Sequence, residues 1–330
     1  MVVLVTGGAG YIGSHMVFEL LGAGEDVVVL DNLSTGFRWA VPDAATFVEG
    51  SVGDGALVSR LLSNHPFDAI LHFAGSIVVP DSITDPLGYY CNNTCNSRSL
   101  LACAVDAGVP HFIFSSTAAV YGIPETNPIT EDARLQPISP YGSSKRMTET
   151  MLADTARAFP MRYVALRYFN VAGADPEGRT GQSTPRATHL IKVASEAAVG
   201  LRPRLDVFGT DYETPDGTCV RDYIHVTDLV RAHLDALRYL REGGESVTLN
   251  CGYGKGFSVL DVIEAVKRAS GTDFTVRYAS RRPGDPAALV AGAGRIHDVL
   301  GWEPRLDNLG TIVEGALSWE KHLQESRKAP

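Results

Sequence analysis

Two residues that can carry proton-transfer chemistry stand four positions apart in the segment YGSSK at 141–145. On a helix this spacing puts the Tyr141 phenol and the Lys145 ammonium group on one face. A free tyrosine, with a pKa of about 10, is a poor base at neutral pH, but an adjacent lysine cation stabilises its phenolate. Thr117 ends the segment FSST at 114–117, and its hydroxyl could bridge a substrate oxygen to Tyr141. The three residues predict a general-base site.

A glycine-rich segment near the N-terminus predicts a nucleotide site. Gly7, Gly10 and Gly13 follow a short apolar strand and precede a helical pattern, so the backbone can turn tightly and approach a pyrophosphate at the helix N-terminus. Asp31 closes the next strand, 18 residues after Gly13. A carboxylate there binds ribose hydroxyls and repels a 2′-phosphate, which favours NAD over NADP. Asn32 could add a ribose or adenine contact.

These residues need a scaffold that brings strand ends together, and the first half of the chain predicts one. Short β-branched runs alternate with helical patterns, as in a parallel α/β sheet. We predict strands at Val2–Thr6, Asp26–Leu30, Thr46–Glu49, Ala69–Phe73, His111–Ser115 and Tyr163–Arg167. We predict helices at Ile12–Leu21, Ala56–Ser63, Pro86–Ala107 and Tyr141–Ala158, the third capped by Asp85.

Beyond Asn170 the rhythm changes, and residues 172–182 form a polar, glycine-containing loop. Helices near His189–Val199, Asp228–Leu240, Ser258–Ala269 and Leu309–Gln324 follow, with a strand at Val247–Cys251. We therefore predict an α/β protein with a Rossmann-type doubly wound parallel sheet and a smaller mixed α/β substrate-binding lobe. The expected domains are 1–171 for NAD and 172–330 for the substrate, with segments around 220–240 packing back on the first.

Composition narrows the class of protein. The chain has 330 residues, 45% hydrophobic and 20% charged, which is typical of a folded globular protein. A net charge of −9 disfavours a nucleic-acid or membrane-surface binder. No apolar run reaches the ~18–20 residues of a spanning helix, and the N-terminus lacks the charged start of a signal peptide. Five cysteines without a CxxC pair argue against a disulfide framework or a metal site and fit a reducing cytoplasm.

Several longer segments resemble the UDP-galactose 4-epimerase family of extended short-chain dehydrogenases over the whole chain. The matching segments are VTGGAGYIGSH at 5–15, LDNLS at 30–34, HFAG at 72–75, YYCNNT at 89–94, FSSTAAVYG at 114–122, SPYGSSK at 139–145, LRYFNVAGA at 166–174 and VRDYIHVTDL at 220–229. The resemblance implies a tightly bound NAD that is reduced and reoxidised within each turnover. It implies that Tyr141 takes the proton of a sugar 4-hydroxyl, that the 4-keto sugar turns over, and that reduction follows on its other face.

The resemblance also implies site residues and partners. Thr117, Tyr141 and Lys145 would be catalytic. Cofactor contacts would come from Gly7, Gly10, Tyr11, Ile12, Gly13, Asp31, Asn32, Ser51, Val52, Phe73, Ala74, Gly75, Asn93, Ser115, Tyr141, Lys145 and Tyr168. Substrate contacts would come from Thr117, Asn170, His189, Leu190, Phe208, Arg221, Tyr223, Arg282, Asp285 and Leu289. Arg221 and Arg282 suit a diphosphate because guanidinium groups bind its oxygens in pairs. A homodimer formed through the helices at 86–107 and 141–158 is implied as well.

The sequence departs from the family pattern at four of its positions. Ser51 stands where an aspartate contacts adenine, and Ile77 where a lysine reaches the nicotinamide ribose. His189 replaces an asparagine, and Leu289 replaces a tyrosine that limits the sugar pocket in some members. The default substrate pair is UDP-glucose and UDP-galactose, with UDP-xylose/UDP-arabinose and UDP-N-acetylhexosamines as alternatives.

Three other functions compete with epimerisation. Related dehydratases carry Asp-Glu directly after the threonine, whereas this chain has Ala118-Ala119, which argues against elimination. A non-catalytic NAD-binding protein would not need an intact set of Thr117, Tyr141 and Lys145. A net-redox dehydrogenase would exchange NAD freely and form stoichiometric NADH.

Purified protein is therefore expected to carry bound NAD(H). The glycine turn and Asp31 should hold the dinucleotide through purification and release it on denaturation, where its absorbance and an enzymatic NAD assay measure it. Protein that is isolated empty, and that binds NAD and NADP weakly and equally, would contradict this expectation.

Overall fold

The structure is a computed structural model, and it describes residues 1–185, 187–282 and 284–326. The last four residues of the predicted second domain lie outside this description. Within it, seven strands form one parallel sheet in the spatial order β10-β6-β5-β4-β1-β2-β3. The strands are β1 (Val2–Thr6), β2 (Asp26–Asp31), β3 (Thr46–Glu49), β4 (Phe67–His72), β5 (His111–Thr117), β6 (Arg162–Tyr168) and β10 (Val247–Cys251).

Helices cover both faces of this sheet, which confirms the predicted doubly wound α/β fold. One face carries α1 (Tyr11–Gly22), α8 (Val226–Arg241) and α10 (Gly294–Leu300). The other carries α2 (Gly55–Asn64), α5 (Asn96–Asp106) and α6 (Pro140–Ala158). The strands are apolar on both sides because each face is buried, as expected for a parallel sheet. The order of strands reverses between β1 and β4, which is where such sheets bind ligands.

A second lobe packs beside the carboxyl edge of this sheet. Its four-stranded sheet has the order β11-β9-β13, with β7 also paired to β9, and β8 pairs with β12. These strands are β7 (Asn170–Ala172), β8 (Leu205–Phe208), β9 (Val220–His225), β11 (Gly256–Ser258), β12 (Val276–Ala279) and β13 (Ala288–Leu289). The lobe's helices are α7 (Leu190–Ala198), α9 (Val259–Ser270) and α11 (Leu309–Ser326), which pack on one another.

The chain crosses between these two parts more than once. Strand β10 pairs in parallel with β6 at the sheet edge, and α8 packs against α1. One hydrophobic cluster consequently joins Val3 and Met16 from early in the chain to Leu237 and Leu249 from late in it.

The predicted helix at 86–107 is wrong as a continuous α-helix. It begins at α4 (Pro86–Tyr89), where the Asp85 carboxylate accepts the Gly88 N–H at 3.0 Å as predicted. It then widens into a π-helix at Tyr90–Cys95 before α5. Asn93, in the widened turn, is buried and bonds to Ser144 of α6 and to the backbone at Ser76, contacts that periodicity cannot reveal. Helix α3 (Val79–Thr84) and helix α10 were not predicted.

Candidate active site

The glycine turn after β1 leaves no space for side chains. Gly7 adopts a positive φ of 73°, and a Cβ there would lie 2.6 Å from the Ala74 nitrogen. A Cβ on Gly13 would lie 2.1 Å from the Gly7 oxygen. Helix α1 starts at Tyr11 behind Gly10, whose position gives no side-chain cap. The first N–H groups of α1 are thus open to an anion, which fits a pyrophosphate.

Asp31 is held rigidly at the end of β2. Its Oδ2 accepts the Ala9 N–H at 2.9 Å, and its Oδ1 accepts the Leu33 N–H at 2.8 Å. The carboxylate is therefore oriented next to the glycine turn, with further lone pairs available for ribose hydroxyls. Asn32 accepts the N–H of Ser34 at 3.1 Å.

The remaining predicted cofactor residues follow the ends of neighbouring strands. Ser51 accepts the Gly53 N–H at 3.1 Å, and Val52 is buried in the core. The ring of Phe73 packs 4.8 Å from that of His233. The Tyr11 hydroxyl donates to the Gly173 carbonyl at 2.7 Å, which ties α1 to the start of the second lobe. Ile12 packs against the core cluster beneath the turn.

The segment after β4 is fixed from the π-helix. The side-chain Oδ1 of Asn93 accepts the Ser76 N–H at 2.7 Å, and the side-chain Nδ2 of Asn93 donates to the Ser76 carbonyl at 2.9 Å. A Cβ on Gly75 would meet Asn93 at 3.1 Å and the Lys145 Nζ at 3.7 Å. The segment Ala74-Gly75 and the Asn93 side chain therefore lie next to the ammonium group of the predicted catalytic lysine.

The three predicted catalytic residues converge although they come from different elements. Thr117 ends β5, and its hydroxyl lies close enough to the Tyr141 phenol on α6 to lower the pKa of that phenol. The Lys145 ammonium donates to the Ser115 carbonyl at 2.9 Å and lies 4.9 Å from the centre of the Phe114 ring. Helix α6 begins with Pro140 and is capped by Ser139, which fixes its first turn beside Thr117. On β6, Tyr168 pairs with Thr117, and its hydroxyl contacts Ser115.

Burial changes the titration of this set. It raises the pKa of Tyr141 to about 12, although the neighbouring Thr117 hydroxyl works in the opposite direction. Burial also lowers the pKa of Lys145 to about 8, while the nearby Glu149 carboxylate raises it. Desolvation by itself therefore opposes the phenolate, so the site requires a nearby positive charge before Tyr141 can act as a base.

A cavity of about 480 Å³ lies in the second lobe, beyond Asn170. Eight of the predicted substrate residues line it: Asn170, His189, Leu190, Phe208, Arg221, Tyr223, Arg282 and Asp285. The other two, Thr117 and Leu289, are not among its described lining residues. Leu289 packs at the edge of the cluster that contains Ala118 and Phe169, and in the strand register it stands opposite Arg221.

Charged and aromatic groups in the cavity pair with each other. The Arg282 guanidinium carbon lies 3.8 Å from the centre of the Phe208 ring, which covers one face of that aromatic side chain. Arg221 lies 3.8 Å from the Asp285 carboxylate. Tyr223 stands opposite Asn170 in the β7–β9 register, and burial raises the pKa of its phenol. Both arginines remain at the cavity wall, so they are placed to receive an anionic group.

Other cavity residues were not predicted. Among them are Gln182, Lys192, Arg202, Val207, Trp319 and Glu320. Gln182 bonds to Nδ1 of His189 at 2.9 Å, and burial lowers the pKa of that histidine. Lys192 contacts Glu320, which follows it by 128 positions, so no local spacing could have indicated the pair.

Comparison with known proteins agrees with this geometry. The profile of the NAD dependent epimerase/dehydratase family matches residues 3–252. The chain belongs to this family. It is similar to the UDP-glucose 4-epimerase of Azospirillum brasilense, with 58% identity over 324 residues, which are 98% of this chain and 93% of that protein.

Solved structures of family members match the whole fold. The UDP-glucose 4-epimerase of Brucella ovis in complex with NAD has a TM-score of 0.94 and 45% identity, covering 96% of this chain and 97% of that one. The UDP-Glc/GlcNAc 4-epimerase of Campylobacter jejuni has a TM-score of 0.86 and 49% identity, covering 97% and 99%. The resemblance found in the sequence is confirmed: the chain is an epimerase, an isomerase that uses NAD. Among the described helices, none has both the length and the apolar character needed to cross a membrane.

Replacing Tyr141 by Phe tests the predicted base. The ring and its packing remain, while the hydroxyl that exchanges the proton is lost, so turnover should fall by ~10²–10⁴. Thr117→Ala should cost less, because a water can take the place of its hydroxyl. Steady-state kcat measures both effects, and thermal melting checks that the variants are folded. Near-normal turnover in Tyr141→Phe would remove the phenol from the mechanism.

Proposed function

We propose that the protein interconverts UDP-glucose and UDP-galactose by oxidation at C4, rotation of the 4-keto sugar and reduction on its opposite face. The observation that carries this proposal is the convergence of Thr117, Tyr141 and Lys145 beside a dinucleotide turn and an arginine-lined cavity. The names of the Azospirillum and Brucella relatives give the same substrate.

In this proposal each part of the site has a separate task. Arg221 and Arg282 bind the diphosphate, which anchors the nucleotide while the sugar is left free to turn. The Thr117 hydroxyl takes up the proton of the sugar 4-hydroxyl as it gives its own proton to the Tyr141 phenolate. Lys145 stabilises that phenolate. When bound, NAD would accept the hydride and return it, and its oxidised ring would add a positive charge near Tyr141. Asp31 and the N-terminus of α1 hold its adenosine ribose and pyrophosphate.

Dehydration is disfavoured by the residues that follow Thr117. Expulsion of water from the sugar requires an additional acid and base next to the reacting carbons. Ala118 and Ala119 occupy these positions in a short 3₁₀-helix, and Ala118 is buried among apolar side chains. The site therefore supports reversible proton transfer at one hydroxyl rather than elimination.

A broader substrate range is a second candidate. The name of the Campylobacter relative includes both glucose and N-acetylglucosamine nucleotides. Leu289 packs at the edge of the cluster that contains Ala118, the residue after Thr117, and it is smaller than a tyrosine, so partial acceptance of an N-acetyl group is compatible with the packing. Pentose nucleotides, which lack a group at C5, would fit the same space.

The assembly and location of the protein form part of the proposal. We place NAD on residues 1–171 and the nucleotide sugar on 172–330. Exposed apolar side chains on the helices at 86–107 and 140–158, such as Leu87 and Met147, support a homodimer formed through these helices. All five cysteines are unpaired, which fits a reducing cytoplasm.

The proposed function is tested by incubating the purified protein with UDP-glucose, UDP-xylose or UDP-N-acetylglucosamine without added NAD. Chromatography should resolve the C4 epimer of UDP-glucose as the main new product, with no net NADH. Accumulation of NADH in proportion to product would instead indicate a dehydrogenase, and loss of water from the sugar would indicate a dehydratase.

Leu289 should set the discrimination between hexoses and N-acetylhexosamines. A change of about one methylene in a pocket alters discrimination by roughly 1–3 kcal/mol, so exclusion of the N-acetyl group should be partial. Leu289→Tyr should abolish the weak N-acetyl activity and largely spare UDP-glucose, whereas Leu289→Ser should raise it. The ratio of the two kcat/KM values measures this. An unchanged ratio in both variants would mean that Leu289 does not contact the sugar.

A further inference from the structure

A buried ion pair lies one helical turn beyond Lys145. Glu149, on the same helix α6, receives two hydrogen bonds from Arg167 of β6, from Nε at 2.9 Å and from Nη2 at 2.7 Å. Glu149 is 6% exposed and Arg167 is 5% exposed. Two charges removed from water in this way recover their desolvation cost incompletely, so an apolar pair of similar volume would stabilise the fold as well or better. Stability alone does not account for the pair.

The contacts of the pair lead to the catalytic set. Ser116, the residue before Thr117, donates its hydroxyl to Glu149 at 2.5 Å. Ser116 also stands directly opposite Arg167 in the β5–β6 register, and Thr117 stands opposite Tyr168. Glu149 thereby joins the helix that carries Tyr141 and Lys145 to the strand that carries Thr117.

A further chain of hydrogen bonds starts from the guanidinium nitrogen of Arg167 that does not bond to Glu149. Its Nη1 donates to the Tyr121 hydroxyl at 3.0 Å, and Tyr121 donates to Asn250 of β10 at 2.6 Å. The backbone N–H of Asn250 donates to Glu131 at 2.8 Å. Arg167 is consequently held in place by several elements.

The groups facing Lys145 can be ordered by their charge. From its own helix come the neutral phenol of Tyr141 and the Glu149 carboxylate. From β4 comes His72, which burial keeps neutral by lowering its pKa to about 3. On β6, Arg167 is connected to Lys145 only through its bonds to Glu149, and Tyr168 contacts Ser115 with a phenol whose pKa burial raises.

The other neighbours of Lys145 are uncharged. Strand β5 contributes the carbonyl of Ser115 and the ring of Phe114. Asn93 of the π-helix is also close, because a Cβ on Gly75 would approach both its side-chain oxygen and the Lys145 Nζ. Tyr89 of α4 faces Tyr141 and is also neutral, because burial raises the pKa of its phenol. Glu149 is therefore the charged group that acts on Lys145 among the neighbours just named, and Arg167 balances that charge through its pair with Glu149.

We propose that Glu149 and Arg167 form a positioning pair for the reaction: through Ser116 they hold Thr117 against Tyr141, and their balanced charges set the electrostatic field at Lys145. Neither residue touches the substrate in this role. The inference rests on the proposed epimerisation, since it concerns how Thr117 is kept aligned with Tyr141 and how Lys145 is kept protonated.

Breaking the pair from either side tests the proposal. Glu149→Gln removes a negative charge and leaves Arg167, so Lys145 should lose its proton at a lower pH. Arg167→Gln leaves Glu149 facing Lys145, so the lysine should keep its proton to a higher pH. With holoenzyme, the alkaline limb of kcat against pH should move toward acid in the first variant and toward base in the second, each by roughly one pH unit. Two shifts in the same direction, or none, would overturn the proposal.

Glu25→Gln is a matched control. Glu25 forms a similar pair with Arg241, at 2.6 and 3.0 Å, just before β2 and thus at the end of the parallel sheet opposite to Thr117. The same carboxylate-to-amide change there should leave the pH profile of kcat in place. A purely structural role for Glu149 would lower the melting temperature of both ion-pair variants without opposite pH shifts, and this result would also overturn the proposal.

If neither ion-pair variant folds, Ser116→Ala decides the question. It deletes one hydroxyl and leaves both charges, so the protein should melt close to the wild type. Loss of the contact to Glu149 should lower kcat about tenfold through misplacement of Thr117, with KM changed less than about twofold. Wild-type kcat in this variant would overturn the proposal. Failure of the proposed function is distinguishable, because wild-type protein would then show no epimerisation at all.

Discussion

The close approach of two backbone segments at the carboxyl edge of the sheet governs the geometry of the cofactor site. Gly7 and Ala74 follow adjacent parallel strands, and a single added methyl at Gly7 would overlap the Ala74 nitrogen. Because the two turns touch, the N-terminus of α1, the carboxylate of Asp31 and the segment held by Asn93 share one cleft. The opening of α1 toward an anion and the position of Lys145 next to Gly75 both depend on this approach.

Burial of the catalytic set away from water shifts the pKa values of its two ionisable groups in opposite directions. It favours the neutral phenol of Tyr141 and the neutral amine of Lys145, whereas the proposed chemistry uses the phenolate and the ammonium. The protein must therefore supply compensating interactions from neighbouring polar groups. The Thr117 hydroxyl and the Ser115 carbonyl provide two of them, and the Glu149 carboxylate provides charge at longer range.

Much of the first lobe could be predicted from the sequence because its signals are local. The glycine spacing, the strand ends at Asp31 and Thr117, and the four-residue interval from Tyr141 to Lys145 lie within short windows whose periodicity fixes their geometry. Most strands of the second lobe have only two to four residues, too few to show a period, and their pairing is set by distant segments, as between β13 and β9. The resemblance groups Leu289 with the substrate residues, but its side chain packs against the cluster around Ala118 and is not among the described residues that line the cavity.

The edge strand β10 has a consequence for how the chain is made. Strand β6 is complete at Tyr168, but its outer partner is supplied only when residue 251 has left the ribosome. During the synthesis of roughly eighty intervening residues, the nascent sheet presents an unpaired apolar edge, which is a site for wrong strand pairing. A fragment that stops at residue 171 would keep this edge permanently. The seven-stranded sheet therefore matures late, and it does so together with the second lobe.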